Sequence, residues 1–204
     1  MKNLTYFLLF IFFISCSGNR QANQALLPEL NEMDYEVISA AIDCYLDKYK
    51  KGSYSADDSV FYEGTGNRYP LAIFIQDSTH IEYLSNWSFD EHKDKGFNDK
   101  YLTDRLKPLN KKKYKIDNNK IKSFKTYSDK DVTNAKNYEE IYKLHPDIWG
   151  FISFSKPSLN IEEDVAVIYI TFFKAGLWGE ANYLWLKKEN GKWILYDNRQ
   201  LWIS

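Results

Sequence analysis

The 204-residue chain has few of the residues on which disulfide-rich and metal-dependent folds depend. It contains two cysteines, Cys16 and Cys44, and three histidines. Two cysteines cannot build a disulfide framework. None of the histidines stands in an H-E-x-x-H or comparable metal-ligand spacing. The sequence therefore predicts neither a metal site nor a bound cofactor.

A membrane-spanning run and an excess of charge of one sign are also missing. The apolar stretch at residues 4–14 is shorter than the ~20 residues that a spanning helix needs. The 27 Lys and Arg residues are matched by 28 Asp and Glu residues, so the net charge does not favour a nucleic-acid partner. Aromatic residues, in contrast, make up 17% of the chain, which is typical of a protein with a packed core.

The amino end has the parts of a secretory signal: Met1 and Lys2, a short apolar run, and then small residues. Residues 13–16, Phe-Ile-Ser-Cys, resemble the bacterial lipobox, in which a small residue precedes a cysteine. The resemblance implies diacylation of the Cys16 thiol, cleavage before Cys16 and acylation of the new amino group. Several acyl chains are needed because one chain binds a bilayer only marginally. The alternatives are an ordinary signal peptide in which Cys16 stands by chance, or a buried apolar strand.

These features predict a signal peptide at residues 1–15, a flexible polar tether at 16–28 and a single α+β domain at 29–204. The domain begins with a helix at residues 31–50, because apolar residues recur there at helical spacing. Asn31 is placed to cap this helix, and Asp34 in its first turn suits the helix dipole. Cys44 falls in this helix as a small apolar residue.

The middle of the chain gives weaker patterns. Residues 71–75 read as a buried strand that ends before Asp77, after a loop at 52–70. The spacing predicts helices at 97–109 and 137–144 and a strand at 111–125.

The last third predicts an antiparallel meander with the amino-terminal helix packed on one face. Its four strands are at residues 149–155, 165–174, 182–188 and 192–202. Asn190 and Gly191 join the last two because Asn-Gly readily adopts the positive φ angles of a tight hairpin. By analogy alone, this arrangement is similar to the cone-shaped folds of the nuclear transport factor 2 type.

The carboxyl-terminal residues resemble a family of uncharacterised exported bacterial lipoproteins. The resemblance rests on Phe154-Ser155, Ala166-Val167-Ile168-Tyr169, Gly176-Leu177-Trp178-Gly179, Tyr183-Leu184, Gly191-Lys192-Trp193 and Trp202-Ile203-Ser204. Some relatives carry cysteines around the Gly-rich turn, where this chain has Ala175 and Trp178. The resemblance implies export and a shared fold, and it implies no activity.

Candidate chemistry centres on Asp77, Thr79 and His80 at a predicted strand end, with His145 and Glu180 as further polar groups that a fold might bring together. An Asp, a hydroxyl and a His can support acid–base or acyl-transfer chemistry if a pocket encloses them. The alternative is a capped turn, since Asp and Ser often bond their own backbone.

Two further segments have a binding interpretation and a structural one. Trp178, in the loop 176–180, is placed to stack on a sugar or base, or else to lie half-buried in a hairpin connection. The lysines at 111–113, near Tyr114 and Phe124, permit an anionic partner, or else form a solvated face.

The sequence predicts a protein anchored by lipid to a bacterial membrane, with its domain outside the cytoplasm. Because no catalytic motif is present, we expect a non-catalytic module that binds an unknown protein or a small molecule and no nucleic acid. The alternative is a small-ligand-binding or hydrolytic enzyme with a pocket on the antiparallel sheet.

Overall fold

The computed structural model describes residues 27–50, 72–79, 99–122, 124–174 and 178–203, with only the backbone described at 48–50, 99, 100 and 178. The predicted signal peptide, the predicted loop at 52–70 and nearly all of the tether lie outside the described residues. Within the described segments, no helix combines the length and the apolar character needed to cross a membrane. Pro28 already contacts the folded domain. Its carbonyl accepts a hydrogen bond from the Lys115 amide at 2.9 Å.

The predicted amino-terminal helix is confirmed as α1, Glu32–Lys50. Its start is fixed by a reciprocal capping box. The Asp34 amide donates to Asn31 Oδ1 at 2.8 Å, and the Asn31 amide donates to Asp34 Oδ2 at 2.9 Å. The apolar stripe is buried, and it comprises Val37, Ile38, Ala41, Ile42, Tyr45 and Leu46.

The two later helices are also confirmed, as α2, Asp99–Leu109, and α3, Tyr138–Leu144. Asn137 caps α3 by accepting a hydrogen bond from the Glu140 amide at 2.9 Å. Pro108 is the penultimate residue of α2, and its lack of an N–H to bond the preceding turn is consistent with the helix ending there.

The described strands form one mixed sheet. They are β1 (Ala72–Ile75), β2 (Lys125–Tyr127), β3 (Ile148–Phe154), β4 (Ser158–Leu159), β5 (Val165–Lys174), β6 (Trp178–Glu189) and β7 (Lys192–Ile203). The order is β2-β1-β3-β5-β6-β7, with the short β4 pairing with β5. Strand β1 is parallel to β2 and β3, and the remaining pairs are antiparallel. The predicted α+β class is therefore confirmed.

The predicted meander corresponds to β3, β5, β6 and β7. Asn190 has φ 51° and Gly191 has φ 77°, so both residues take the positive φ values that a two-residue hairpin requires. The hairpin pairs Glu189 with Lys192. Strand β6 begins at residue 178 rather than at 182.

The predicted strand at 111–125 is wrong. Tyr114, Ile116 and Ile121 are buried, so their weak alternation reflects real burial. The backbone between them turns through a 3-10 helix, Asn118–Lys120, because the Asp117 side chain accepts from the Asn119 amide. Short polar side chains that bond the nearby backbone favour turns over strands.

The sheet is covered on both faces. The α1 face carries Ile73, Ile75, Ile152, Phe154, Ile168, Ile170, Phe172, Leu184 and Leu186, all in one core with the α1 stripe. On the opposite face, the α2 face, Leu102 and Leu106 pack against Val165, Val167, Tyr169, Tyr183 and Trp185. Ile141 of α3 packs beside Phe74 and Phe151.

Candidate functional site

Asp77 and Thr79 lie together in the turn that follows β1. Thr79 is buried, and its Oγ1 accepts from the Tyr114 amide at 2.9 Å. The Asp77 amide donates to Asp129 Oδ2 at 3.0 Å. Partial burial, and then repulsion from Asp129, raises the pKa of the Asp77 carboxyl. Both contacts join the turn to distant segments of the chain rather than to its own backbone, and His80 lies outside the described residues.

His145 terminates α3. Its amide donates to the Ile141 carbonyl at 2.8 Å, and its ring packs against Tyr127 with centroids 4.3 Å apart. The ring Nε2 lies 3.3 Å from the Asp131 carbonyl oxygen. His145 thus connects the carboxyl end of α3 to β2 and to the turn that follows it.

Strand register separates Glu180 from Asp77. Ile75 pairs with Ile152, which pairs with Phe172, which pairs with Glu180. Three strand spacings therefore lie between Ile75 and Glu180, or about 14 Å. The structure does not bring the predicted polar residues into one cluster.

Glu180 instead belongs to a polar group beneath α1, which we call the Glu180 site: Tyr45, Glu180, Asn182 and Gln200. The Tyr45 hydroxyl donates to Glu180 Oε1. Gln200 Nε2 of β7 donates to Glu180 Oε2 at 2.9 Å. Glu180 is only 2% exposed, so its carboxylate is held inside the protein by donors from a helix and a neighbouring strand.

Asn182 is the next residue along β6 on the α1 face, since side chains alternate along a strand. Its side chain is 3% exposed, and among the described residues its Nδ2 has no hydrogen-bond partner. A buried donor left without an acceptor costs about 1–3 kcal/mol. Such a group calls for an explanation in a native protein.

Aromatic rings border the site on the side of β5. Phe172 is the direct cross-strand neighbour of Glu180. Its ring lies 6.2 Å from that of Tyr45 and 4.7 Å from that of Trp149, centroid to centroid. Lys174 Nζ lies 5.6 Å from the Trp149 centroid. Glu180 and Asn182 therefore lie beside a cluster of aromatic rings.

Gln200 is the exposed member of the Glu180 site. Gln200 is exposed, whereas Tyr45, Glu180 and Asn182 are buried. It stands on β7, the last strand of the sheet.

A depression with a volume of about 590 Å³ lies on the α2 face of the sheet. Its size suits a small ligand, and its lining includes Tyr101, Ile161 and Lys187. Its polar groups, however, bond one another. Asn160 Nδ2 donates to Glu162 and Asp164, and Asn160 Oδ1 accepts from the Asp164 and Val165 amides. Turn formation accounts for this arrangement.

Other predicted features have simple placements. Trp178 begins β6 and pairs with Lys174. The lysines at 111–113 are exposed, and Lys112 Nζ lies 5.4 Å from the Tyr114 ring centroid. Cys44 is half-buried in α1. In the part of the chain that the structure describes, no three His, Cys, Asp or Glu side chains are grouped to hold a metal ion.

Sequence reasoning identified Glu180 and missed Tyr45, Asn182 and Gln200. One signal was present. Glu180 and Asn182 interrupt the apolar positions that continue at Leu184 and Leu186 on the same face of β6. Because the strand was predicted to begin at 182, Glu180 was not placed on that face.

Comparison of the chain with protein-family models, with curated proteins and with solved structures gives no match. The resemblance to exported lipoproteins and the analogy to cone-shaped folds stay predictions.

Proposed function

We propose that this protein is a lipid-anchored binding module of the bacterial envelope and that its Glu180 site binds a small hydroxyl-bearing ligand. The observation that carries the proposal is the juxtaposition, beneath α1, of a buried acceptor, Glu180, with the buried and unpartnered donor of Asn182. A hydroxyl group donates one hydrogen bond and accepts others. One hydroxyl between the two side chains would therefore satisfy both.

The surroundings favour a ring-shaped ligand with several hydroxyls. Trp149 and Phe172 supply ring faces next to the polar pair, and sites of this kind combine apolar walls with a few placed polar groups. The ligand class is then a monosaccharide or a cyclic polyol. Both Glu180 oxygens accept hydrogen bonds, from Tyr45 and Gln200, which suits a side chain that orients hydrogen-bond donors.

The ligand proposal is tested with Asn182→Leu. This change removes the buried donor and keeps a similar volume, so we expect the melting temperature without ligand to stay the same or rise. We expect the affinity for the ligand to fall about tenfold or more, the equivalent of one lost hydrogen bond. Thermal shift and isothermal titration with glucose, galactose, N-acetylglucosamine and inositol measure both quantities.

The matched control is Asn134→Leu, which replaces an exposed amide in a turn and should leave affinity unchanged. The proposal fails if no probe in the panel binds the wild-type chain, or if Asn182→Leu binds the best probe as well as wild type does. Glu180→Gln provides a second check, since a neutral amide in place of the carboxylate should also weaken binding.

The anchoring part of the proposal is supported by the lipobox-like residues 13–16. Cys16→Ser removes the thiol that would carry the diacyl group, so we expect the protein to leave the membrane fraction and appear in a soluble or unprocessed form. Labelling with palmitate and cell fractionation give the readout. Cys44→Ser, which changes the other cysteine, should keep both label and location. An unacylated amino terminus on the mature wild-type protein, found by mass spectrometry, would contradict the proposal.

A further inference from the structure

Strand β7 leaves one edge of the sheet without a partner strand among the described residues. It is 12 residues long, and four of its apolar side chains are exposed: Ile194, Leu195, Tyr196 and Ile203. Long apolar edges are places where a further strand adds by backbone hydrogen bonding. The residues of β7 indicate which strand fits.

We propose that two copies of this chain join their sheets by pairing β7 antiparallel with β7, about a two-fold axis at Asn198. In this register Asp197 of each copy faces Arg199 of the other, so two opposite-charge pairs form. Ile194 faces Trp202 and Trp193 faces Ile203, again twice each. The strand is thus complementary to itself in both charge and apolar character.

Charge selects this register over its neighbours. A two-fold axis at residue 197 would place Asp197 opposite Asp197, and an axis at 199 would place Arg199 opposite Arg199. Like charges directly opposite each other destabilise a strand pair, whereas opposite charges stabilise it. Of these three axes, only the one at Asn198 avoids both repulsions and places opposite charges face to face.

The charged side chains that meet beside the axis lie on the same face of the sheet. Asp197 and Arg199 pair across to Trp185 and Tyr183 of β6, which belong to the α2 face. The register of β7 against β6 shifts once on either side of Asn198, at Trp185/Leu186 and at Ala181/Asn182. One shift lies on each side of the axis. Beyond the two shifts, residues that would oppose each other in the pairing therefore lie on the same face of the sheet.

Beyond the shifts, the apolar pairs are matched in the same way. Ile194 and Trp202 pair with Lys187 and Ala181 of β6, and both therefore lie on the α2 face. Trp193 and Ile203 pair with Lys188 and Glu180 and lie on the α1 face. A pairing over residues 193–203 would form about ten backbone hydrogen bonds, with apolar contacts on both faces.

The two-fold axis makes a specific cross-linking prediction. Residues on the axis face themselves at a Cα separation of about 5 Å, which lies within the range that a disulfide bridges. In a Cys44→Ser background, Asn198→Cys should therefore form a disulfide-linked dimer when intact cells are treated with copper phenanthroline. Most of the full-length chain should then migrate at twice the monomer mass without reductant.

Ile194→Cys is the matched control, because the axis places the two Ile194 positions about 27 Å apart. It should give no more dimer than the Cys44→Ser parent, in which Cys16 is the remaining cysteine. Equal cross-linking at 194 and 198 would show random collision on the membrane and overturn the proposal. Absence of a dimer with Asn198→Cys would also overturn it.

Charge reversal provides an independent test in the same cells. Arg199→Glu in the Asn198→Cys background places two acidic residues opposite each other and should lower the dimer yield about tenfold. The exchanged variant Asp197→Arg/Arg199→Asp restores opposite charges and should recover the yield. Lys122→Glu reverses an exposed charge on another part of the domain and should have no effect. An unchanged dimer yield with Arg199→Glu would contradict the register. So would a low yield that the exchanged variant does not restore.

Discussion

Lys156→Met should lower the free energy of unfolding by about 3–5 kcal/mol, the typical cost of leaving one member of a buried ion pair without its partner. Lys156 Nζ binds Asp34 Oδ2, and Asp34 is fully buried in the first turn of α1. The same ammonium lies 5.1 Å from the Tyr114 ring centroid. Methionine keeps most of the side-chain volume, so the loss reports on charge. Urea unfolding followed by tryptophan fluorescence measures it.

Lys188→Met is the matched control. Lys188 binds Glu36 of the same helix at 3.1 Å, but the Glu36 side chain is 53% exposed. Exposed pairs contribute at most about 1 kcal/mol. The double variant Asp34→Asn/Lys156→Met should recover much of the stability because it removes the stranded charge. Equal losses for Lys156→Met and Lys188→Met would show that burial does not govern the Asp34 pair.

This ion pair bears on the Glu180 site through α1. Asp34 lies in the first turn of the helix, and Tyr45 follows it three turns later, where its hydroxyl reaches Glu180. Lys156 follows β3 and joins the start of α1 to the segment between β3 and β4. Both contacts therefore hold the same helix against the rest of the domain.

Gly150→Ala is the second change with a large expected effect, a loss of about 3 kcal/mol in the free energy of unfolding. A Cβ at Gly150 would lie 2.3 Å from Phe172 Cε2 and 2.9 Å from the Phe173 carbonyl oxygen. The Phe172 ring is fully buried and adjoins both Tyr45 and Trp149. Because these rings pack beside it, we expect the Phe172 ring not to move aside, and the carbonyl belongs to the neighbouring strand. Chemical unfolding again provides the measurement.

Gly179→Ala separates this overpacking from the general cost of replacing a strand glycine. Its Cβ would meet Phe173 Cδ1 at 2.7 Å and Trp202 at 3.3 Å. Phe173 is 41% exposed, so its ring can rotate away, and we expect a loss below about 1 kcal/mol. If Gly179→Ala lowers the free energy of unfolding as much as Gly150→Ala does, the rigidity of the Phe172 ring does not explain the loss at Gly150.

Several elements followed directly from local sequence. The start of α1 depends on Asn31 and Asp34, which are three residues apart and satisfy each other's amides. The hairpin between β6 and β7 depends on Asn190 and Gly191, which take positive φ. In both cases the determining interactions lie within a few residues, so pattern alone was sufficient.

The strand predicted at 111–125 shows where such patterns fail. Tyr114, Ile116 and Ile121 are buried as the alternation suggested. Asp117 nevertheless turns the backbone through its own side chain, and periodicity does not record that competition.

The sequence by itself determined the class of the fold, its helices, the order of the carboxyl-terminal strands and one member of the candidate site. Tertiary structure alone decided that β1 runs parallel between β2 and β3, that Tyr45 meets Glu180 across 135 positions and that Lys156 meets Asp34 across 122. Helical and strand periodicities describe which face of an element is apolar. Which elements then become neighbours, and in what register, is fixed by how all of the apolar faces are buried together, and that is a property of the whole chain.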